Sequence, residues 1–161
     1  MSLITAFGII AAFGMLAYIR LAPSDPAVWH IEPAVLIPDA ALSAREPDIA
    51  PAATNGPVNL PGGSFAIVVF EDAEAGTVMR NLDVVAQRST RTTLLAGTPE
   101  QGHMTWVTRS RLLGFPDYTT AKAMQVDQNV HLLIVARQRF GREDLGVNSR
   151  RLSDWLAKLL P

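Results

Sequence analysis

An unbroken apolar run opens this chain and limits what the rest can be. Leu3 to Ile19 reads LITAFGIIAAFGMLAYI, seventeen residues without a charge. A bilayer span takes about 20 apolar residues, within a range of about 17–25, and the run meets that range once Ser2 and Leu21 are counted. In a globular protein such a run sits deep in a large core, and a chain of 161 residues has no core of that size. The competing reading is a cleaved signal peptide, which wants a basic start and a small-x-small cleavage site. Here the start carries no Lys or Arg, and the run ends Tyr18-Ile19-Arg20-Leu21-Ala22-Pro23. The sequence therefore favours a retained helix, with residues 3–21 against membrane lipid. Gly8 and Ala12 form a small-xxx-small pair suited to a membrane-protein partner, although the Gly and Ala usual in membrane helices explain the pair equally well. The positive-inside rule applied to Arg20 alone would draw the following domain to the cytoplasm.

Behind the run the chain divides in two. Residues 22–61 hold eight of the eleven prolines. Proline fixes φ and removes a backbone donor, so no regular helix runs through them. This is a Pro-rich linker in which Ile31 to Ile37 is apolar enough to form an edge strand, and Asp48 to Gly63 reads as a loop. Residues 62–161 carry the periodicities of a folded domain. Ser64–Phe70 is a short apolar strand, and Glu74–Arg88 has Val78, Leu82 and Val85 at helical spacing. Strands follow at Arg91–Ala96, His103–Leu113, Tyr118–Val126 and Val130–Arg139, with Asp127-Gln128-Asn129 as a hairpin turn. Asn148 is placed to cap a last helix bearing Leu152, Trp155, Leu156 and Leu159. The expected architecture is α+β: a transmembrane helix at residues 1–21, then a mainly antiparallel sheet with two helices on one face.

Charge is unevenly placed. Leu21 to Met79 holds one basic residue against eight acidic ones, and Arg80 to Lys158 twelve basic against seven acidic. The excess is too small to argue for nucleic acid, and no nucleic-acid-binding motif accompanies it. With no cysteine, disulfides, thiolate metal sites and a cysteine nucleophile are excluded. Phosphate loops, dinucleotide fingerprints, zinc-protease helices and nucleophile elbows are missing. His30, His103 and His131 lie in separate elements without ligand spacing, so no metal or cofactor is expected. Ser64 behind Gly62-Gly63 reads as the release of the chain from the linker.

The pattern that does stand out is basic. Arg109 and Arg111 lie two apart on one expected strand, as do Arg137 and Arg139 on another, so each pair shares a face. Guanidinium forks suit carboxylate or phosphate, which makes these four candidates for an anion- or partner-binding face. Pairing with Asp117, Glu143 and Asp144 in a structural network is the other reading.

Two segments carry a family resemblance. Arg109-Ser110-Arg111-Leu112-Leu113-Gly114-Phe115-Pro116-Asp117 resembles an Arg-Ser-Arg…Phe-x-Asp segment. The stretch from Arg139 to Arg151 meets the signature Ser-Arg-x-Gly-x-x-Asp-x-Gly-x-Asn-x-x-Arg at Arg139, Gly141, Asp144, Gly146, Asn148 and Arg151. Both resemble the family called domain of unknown function 1499. Gln138 stands where that family often has Ser, and Tyr118 replaces a second Asp after Asp117. The resemblance implies an envelope or organelle-membrane setting with the domain on the exported side, and brings no agreed activity. The signature residues have a folding role of their own: Gly141 and Gly146 for left-handed turns, Asn148 as a cap, and Asp144 as a partner for Arg139 or Arg151. Two functions are expected from the whole. One is a non-enzymatic, single-pass inner-membrane accessory or binding domain on the periplasmic side. The other is a hydrolase-like enzyme for an anionic envelope substrate, with Asp117 or Asp144 as acid or base.

Overall fold

A computed structural model of the chain describes residues 3–39, 41–42, 53–54, 56–141 and 143–160, with residues 3, 4 and 6 described by backbone alone. Helix α1 spans Leu3–Leu21, and a four-residue turn of helix, α2, spans Pro26–Trp29. The folded elements behind them are β1 (Val58–Leu60), β2 (Gly63–Phe70), α3 (Ala75–Arg88), β3 (Thr92–Thr98), β4 (His103–Arg109), β5 (Pro116–Val126), β6 (Asn129–Gln138) and α4 (Val147–Leu159). The six strands form one sheet in the order β1-β2-β6-β5-β4-β3, antiparallel throughout. The α+β reading and the two helices on one face are found as expected.

Alternation along the strands decides what each face holds. Leu132, Ile134 and Ala136 of β6 point to the same side as Met104 and Trp106 of β4, and there they meet α3 and α4. Val78, Met79 and Leu82 come from α3; Leu152, Trp155 and Leu156 come from α4. Trp106 is fully buried, stands edge-on to Trp155 at 5.8 Å, and donates its indole N–H to Asp83 on α3 at 2.8 Å. A buried tryptophan needs such an acceptor. This is the helix face.

The opposite face is covered by the chain leading out of α1. Ile37 and Leu42 are buried on Phe65, Ile67, Leu133 and Val135. The edge strand expected at Ile31 to Ile37 is therefore a correction: Pro33 starts a 3-10 turn, Pro33–Val35, that lays the segment across the sheet. The edge strand is β1 instead, paired to β2. Much of the loop expected to begin at Asp48 lies outside the described residues.

The helix expected of the opening run is found; its crossing of a membrane is not. The run is a helix of 19 residues. Among the described residues, however, no helix is long and apolar enough to cross a membrane; the side chains of residues 3, 4 and 6 fall outside that set.

Candidate functional site

The candidate site lies where the chain leaves α1. From Arg20 to Glu32 the α2 turn pairs the carbonyls of Asp25 and Pro26 within the segment, while those of Arg20, Pro23, Trp29 and Ile31 turn to the sheet, since buried carbonyls must find donors. The strands supply them. Arg109 Nη1 donates to Arg20 O at 3.1 Å, and Arg139 Nη1 to Pro23 O at 2.7 Å. Arg137 Nη2 donates to Trp29 O at 3.1 Å, and His103 Nε2 to Ile31 O at 3.3 Å. Ser24 shares a hydrogen bond with the Tyr118 hydroxyl at 2.8 Å. Lys122 pairs with Glu32 at 2.6 Å. These contacts form a clasp that holds the segment along β4, β5 and β6.

Stacking completes it. Trp29 lies flat on Tyr118, with ring centroids 3.8 Å apart and planes 9° apart. Arg137 and Arg139 stand over the Trp29 ring at 5.2 and 5.8 Å, in cation–π range. Beside them His30 stacks on His103 at 3.9 Å. Thr105 donates its hydroxyl proton to Thr120, which donates on to Trp29 O. Thr105 can then only accept from His30, 2.9 Å away, so His30 Nδ1 carries a proton. Burial lowers the pKa of both imidazoles below 6.5. Proximity to His30 lowers the His103 pKa further, while Glu32 pulls both upward. Burial likewise draws the Arg137 guanidinium down, against the pull of Tyr118; an arginine remains a cation under such a shift.

The four expected arginines thus separate. Arg139 lies one residue beyond the end of β6, so this pair does not share a strand as expected, yet both guanidinium groups stand over the Trp29 ring and both belong to the clasp. Arg109 and Arg111 do not share a strand, which corrects the expectation: β4 ends at Arg109. Ser110 and Phe115 close a tight loop through Ser110 N to Phe115 O at 2.9 Å and Phe115 N to Ser110 Oγ at 2.9 Å. Arg111 sits on that loop, exposed. Gly114 closes it with φ of 72°, a left-handed conformation, and a Cβ there would lie 3.2 Å from Arg20 Cγ. Arg109, bonded also to Gly114 O at 3.1 Å, joins this loop to the end of α1. Here a cleft of about 310 Å³ opens, lined by Arg20, Arg91, Thr93, Arg109, Ser110, Arg111 and Gly114.

None of Asp117, Glu143 and Asp144 pairs with these arginines. Asp117 binds Arg151 of α4 at 3.0 Å, both side chains largely buried. Burial pushes the Asp117 carboxyl above its ordinary range, and Arg151 pulls against that shift. Asp144 accepts from Gly146 N and Asn148 N, each at 3.0 Å. It satisfies the open amides at the start of α4, whose N-cap is Gly146 at φ 73°. Two expectations are corrected by this: Asn148 is not the cap, and Asp144 pairs with neither Arg139 nor Arg151. Asn148 is the second residue of the helix, is buried, and accepts from Arg151 Nη1. The left-handed glycines are as expected, Gly141 lying at φ 102°.

Comparison with known families decides what this module is. A family model described as protein of unknown function, DUF1499, matches residues 31–159. The chain belongs to the DUF1499 family. The match takes in the sheet, both covering helices and the signature around α4. It starts at Ile31, so the backbone acceptors Arg20, Pro23 and Trp29 precede the matched residues while their arginine donors lie within them. No curated protein matches the chain. Among the described residues of this DUF1499 chain, no group of three or more His, Asp or Glu side chains is placed to hold a metal ion.

The sequence pattern assigned no part in a site to Trp29 or Arg91, and none to Arg20, His30 or Tyr118, which stood out on other grounds. The available signal was the pair Trp29-His30 inside a Pro-rich stretch, since large aromatic side chains in a linker mark a segment that docks.

Proposed function

We propose that this chain is a membrane-tethered, non-catalytic binding domain of the cell envelope. In this reading α1 is a single-pass anchor in an inner membrane, the domain lies on the periplasmic side, and its basic side meets an anionic group or a membrane-protein partner. The observation that carries the proposal is the exposure of α1. Phe7, Ile10 and Phe13 are 76%, 69% and 68% exposed, and Met15 and Tyr18 point elsewhere around the helix at 61% and 62%. A helix apolar on all sides needs an apolar surrounding. Each large apolar side chain left in water forgoes about 1.5–3 kcal/mol; the domain reaches Tyr18 edge-on through the Phe140 ring and still leaves all five more than half exposed.

The clasp gives the tether a purpose beyond attachment. A flexible linker would let the domain wander; six polar contacts and a stacked tryptophan fix its orientation to the end of α1. The side chain of Arg20 packs against the Gly114 turn, so it belongs to the folded domain and is a poor topology signal. The hydrolase alternative draws no support from its two carboxylates, since Asp117 is held by Arg151 and Asp144 serves the start of α4.

The test is extraction of membranes from cells expressing the full chain. Retention in the pellet through alkaline carbonate is expected, together with activity of an export-dependent reporter fused after Pro161. Release of the intact chain into the carbonate supernatant would end the proposal. A reporter active only in the cytoplasm would reverse the orientation.

A further inference from the structure

The clasp accounts for Arg137 and Arg139 but leaves an unbalanced group of cations beside it. Four arginines, Arg20, Arg91, Arg109 and Arg111, line the cleft of about 310 Å³, and no carboxylate lines it with them. Arg109 is spent on the carbonyls of Arg20 and Gly114. Arg91 uses Nε on Arg109 O at 3.0 Å, and its two terminal nitrogens have no hydrogen bond to a described residue. The guanidinium groups of Arg20 and Arg111 are in the same condition. Like charges gathered without counter-charge raise the local positive potential and draw anions. The loop geometry is dedicated to the gathering: Gly114 gives Arg20 room to lie against the turn, and Arg91 itself adopts a left-handed φ of 60°.

We infer that this cleft binds a phosphate group, with Arg20, Arg91 and Arg111 as its ligands and Arg109 as the residue that positions them. Guanidinium forks match phosphate oxygens with paired hydrogen bonds. Ser110 and Thr93 add polar lining. The volume is at the small end of ligand clefts, which run about 300–1,000 Å³, and suits a phosphate bearing a small substituent. Its place in the fold favours a lipid source. Arg20 lies in the last turn of α1, so on the tether reading, on which the lipid source rests, the cleft opens where the helix leaves the hydrocarbon and phosphodiesters are densest. Basic residues near an anionic surface contribute about 1 kcal/mol each.

The full chain in an uncharged detergent is titrated with dihexanoylphosphatidylglycerol, dihexanoylphosphatidylcholine and inorganic phosphate, and thermal unfolding is followed. Phosphatidylglycerol is expected to raise Tm saturably and phosphatidylcholine to leave it unchanged. Arg91→Gln and Arg111→Gln should each weaken the apparent affinity about tenfold, the loss of one charge-assisted hydrogen bond. Inorganic phosphate acting as strongly as the lipid would identify free phosphate as the source and keep the site. A flat response to both phosphate probes would overturn the inference, as would an undiminished response in the Arg91→Gln, Arg111→Gln double variant. These melts do not require α1 to span a bilayer. Failure of carbonate retention therefore strikes the tether alone, and a flat titration of a retained protein strikes the cleft alone.

Discussion

The two faces of the sheet are covered by different physical means. The helix face is mostly dry: Leu132, Ile134 and Ala136 meet the apolar sides of α3 and α4, and the Trp106–Asp83 hydrogen bond and the Asp117–Arg151 pair are its polar exceptions. The clasp face is apolar only at one end, where Ile37 and Leu42 sit on Phe65 and Val135. At the other end guanidinium, imidazole and hydroxyl groups of the strands reach up to carbonyls of an irregular segment. The difference follows from what each cover can do with its own backbone. A helix satisfies its amides and carbonyls internally and presents side chains alone. A proline-broken segment presents bare carbonyls, so the surface beneath it must donate.

That comparison can be broken by substitution on either side. Trp155→Ala on the helix face should cost about 3–5 kcal/mol, the usual loss for a buried aromatic; urea unfolding read by circular dichroism would show an early midpoint for the whole sheet. Arg137→Met on the clasp face should cost less, about 1–3 kcal/mol, because Thr120 still donates to Trp29 O. Its signature is local: hydrogen exchange should quicken in residues 20–32 while the amides of β5 and β6 stay protected. Equal loss of protection in both places would mean that the two covers are one cooperative unit.

Smaller changes sharpen the contrast. Glu32 and Lys122 are 40% and 34% exposed at their side chains, and an exposed pair contributes about 0.2–1 kcal/mol. Glu32→Gln should therefore shift the melt slightly, and the difference from wild type should vanish in high salt. The smallest effect expected is that of pH on the stacked imidazoles. Both His30 and His103 have pKa values lowered below 6.5 by burial, so the unfolded segment takes up protons first as pH falls. Linkage then makes the clasp strongest above about pH 6.5 and progressively weaker below it. Protection of the amides in residues 20–32 relative to intrinsic exchange, followed from pH 8 to pH 5, should fall on the acid side, and His103→Gln should flatten that fall.

Legibility in the sequence followed the same division. The helix face was readable because its code is periodic: Val78 and Leu82 recur at helical spacing, and Leu152, Trp155 and Leu156 lie on one side of α4. The β5–β6 hairpin was legible, but its turn takes two residues, Asp127-Gln128, and not the expected three: Asn129 pairs with Val126, and the register runs back to Asp117 opposite Gln138. The clasp was not readable, since its pairs are far apart in the chain and obey no period; Arg137 and Trp29 are 108 residues apart. Arg109 and Arg111 looked alike by spacing until the Ser110–Phe115 loop placed Arg111 outside β4.

Local pattern was enough for β2 to β6, for α3 and α4 on one face of an antiparallel sheet, for the left-handed turns at Gly141 and Gly146, and for the apolar character of residues 3–19, but not for the edge strand β1. Those depend on interactions a few residues apart, which local patterns record. Only the tertiary structure decided that the Pro-rich segment lies across the sheet, that Asp144 and not Asn148 serves the start of α4, and that Arg20, Arg91 and Arg111 gather in one cleft. Each of those depends on which distant donor reaches which unsatisfied acceptor, and that is settled by packing in three dimensions.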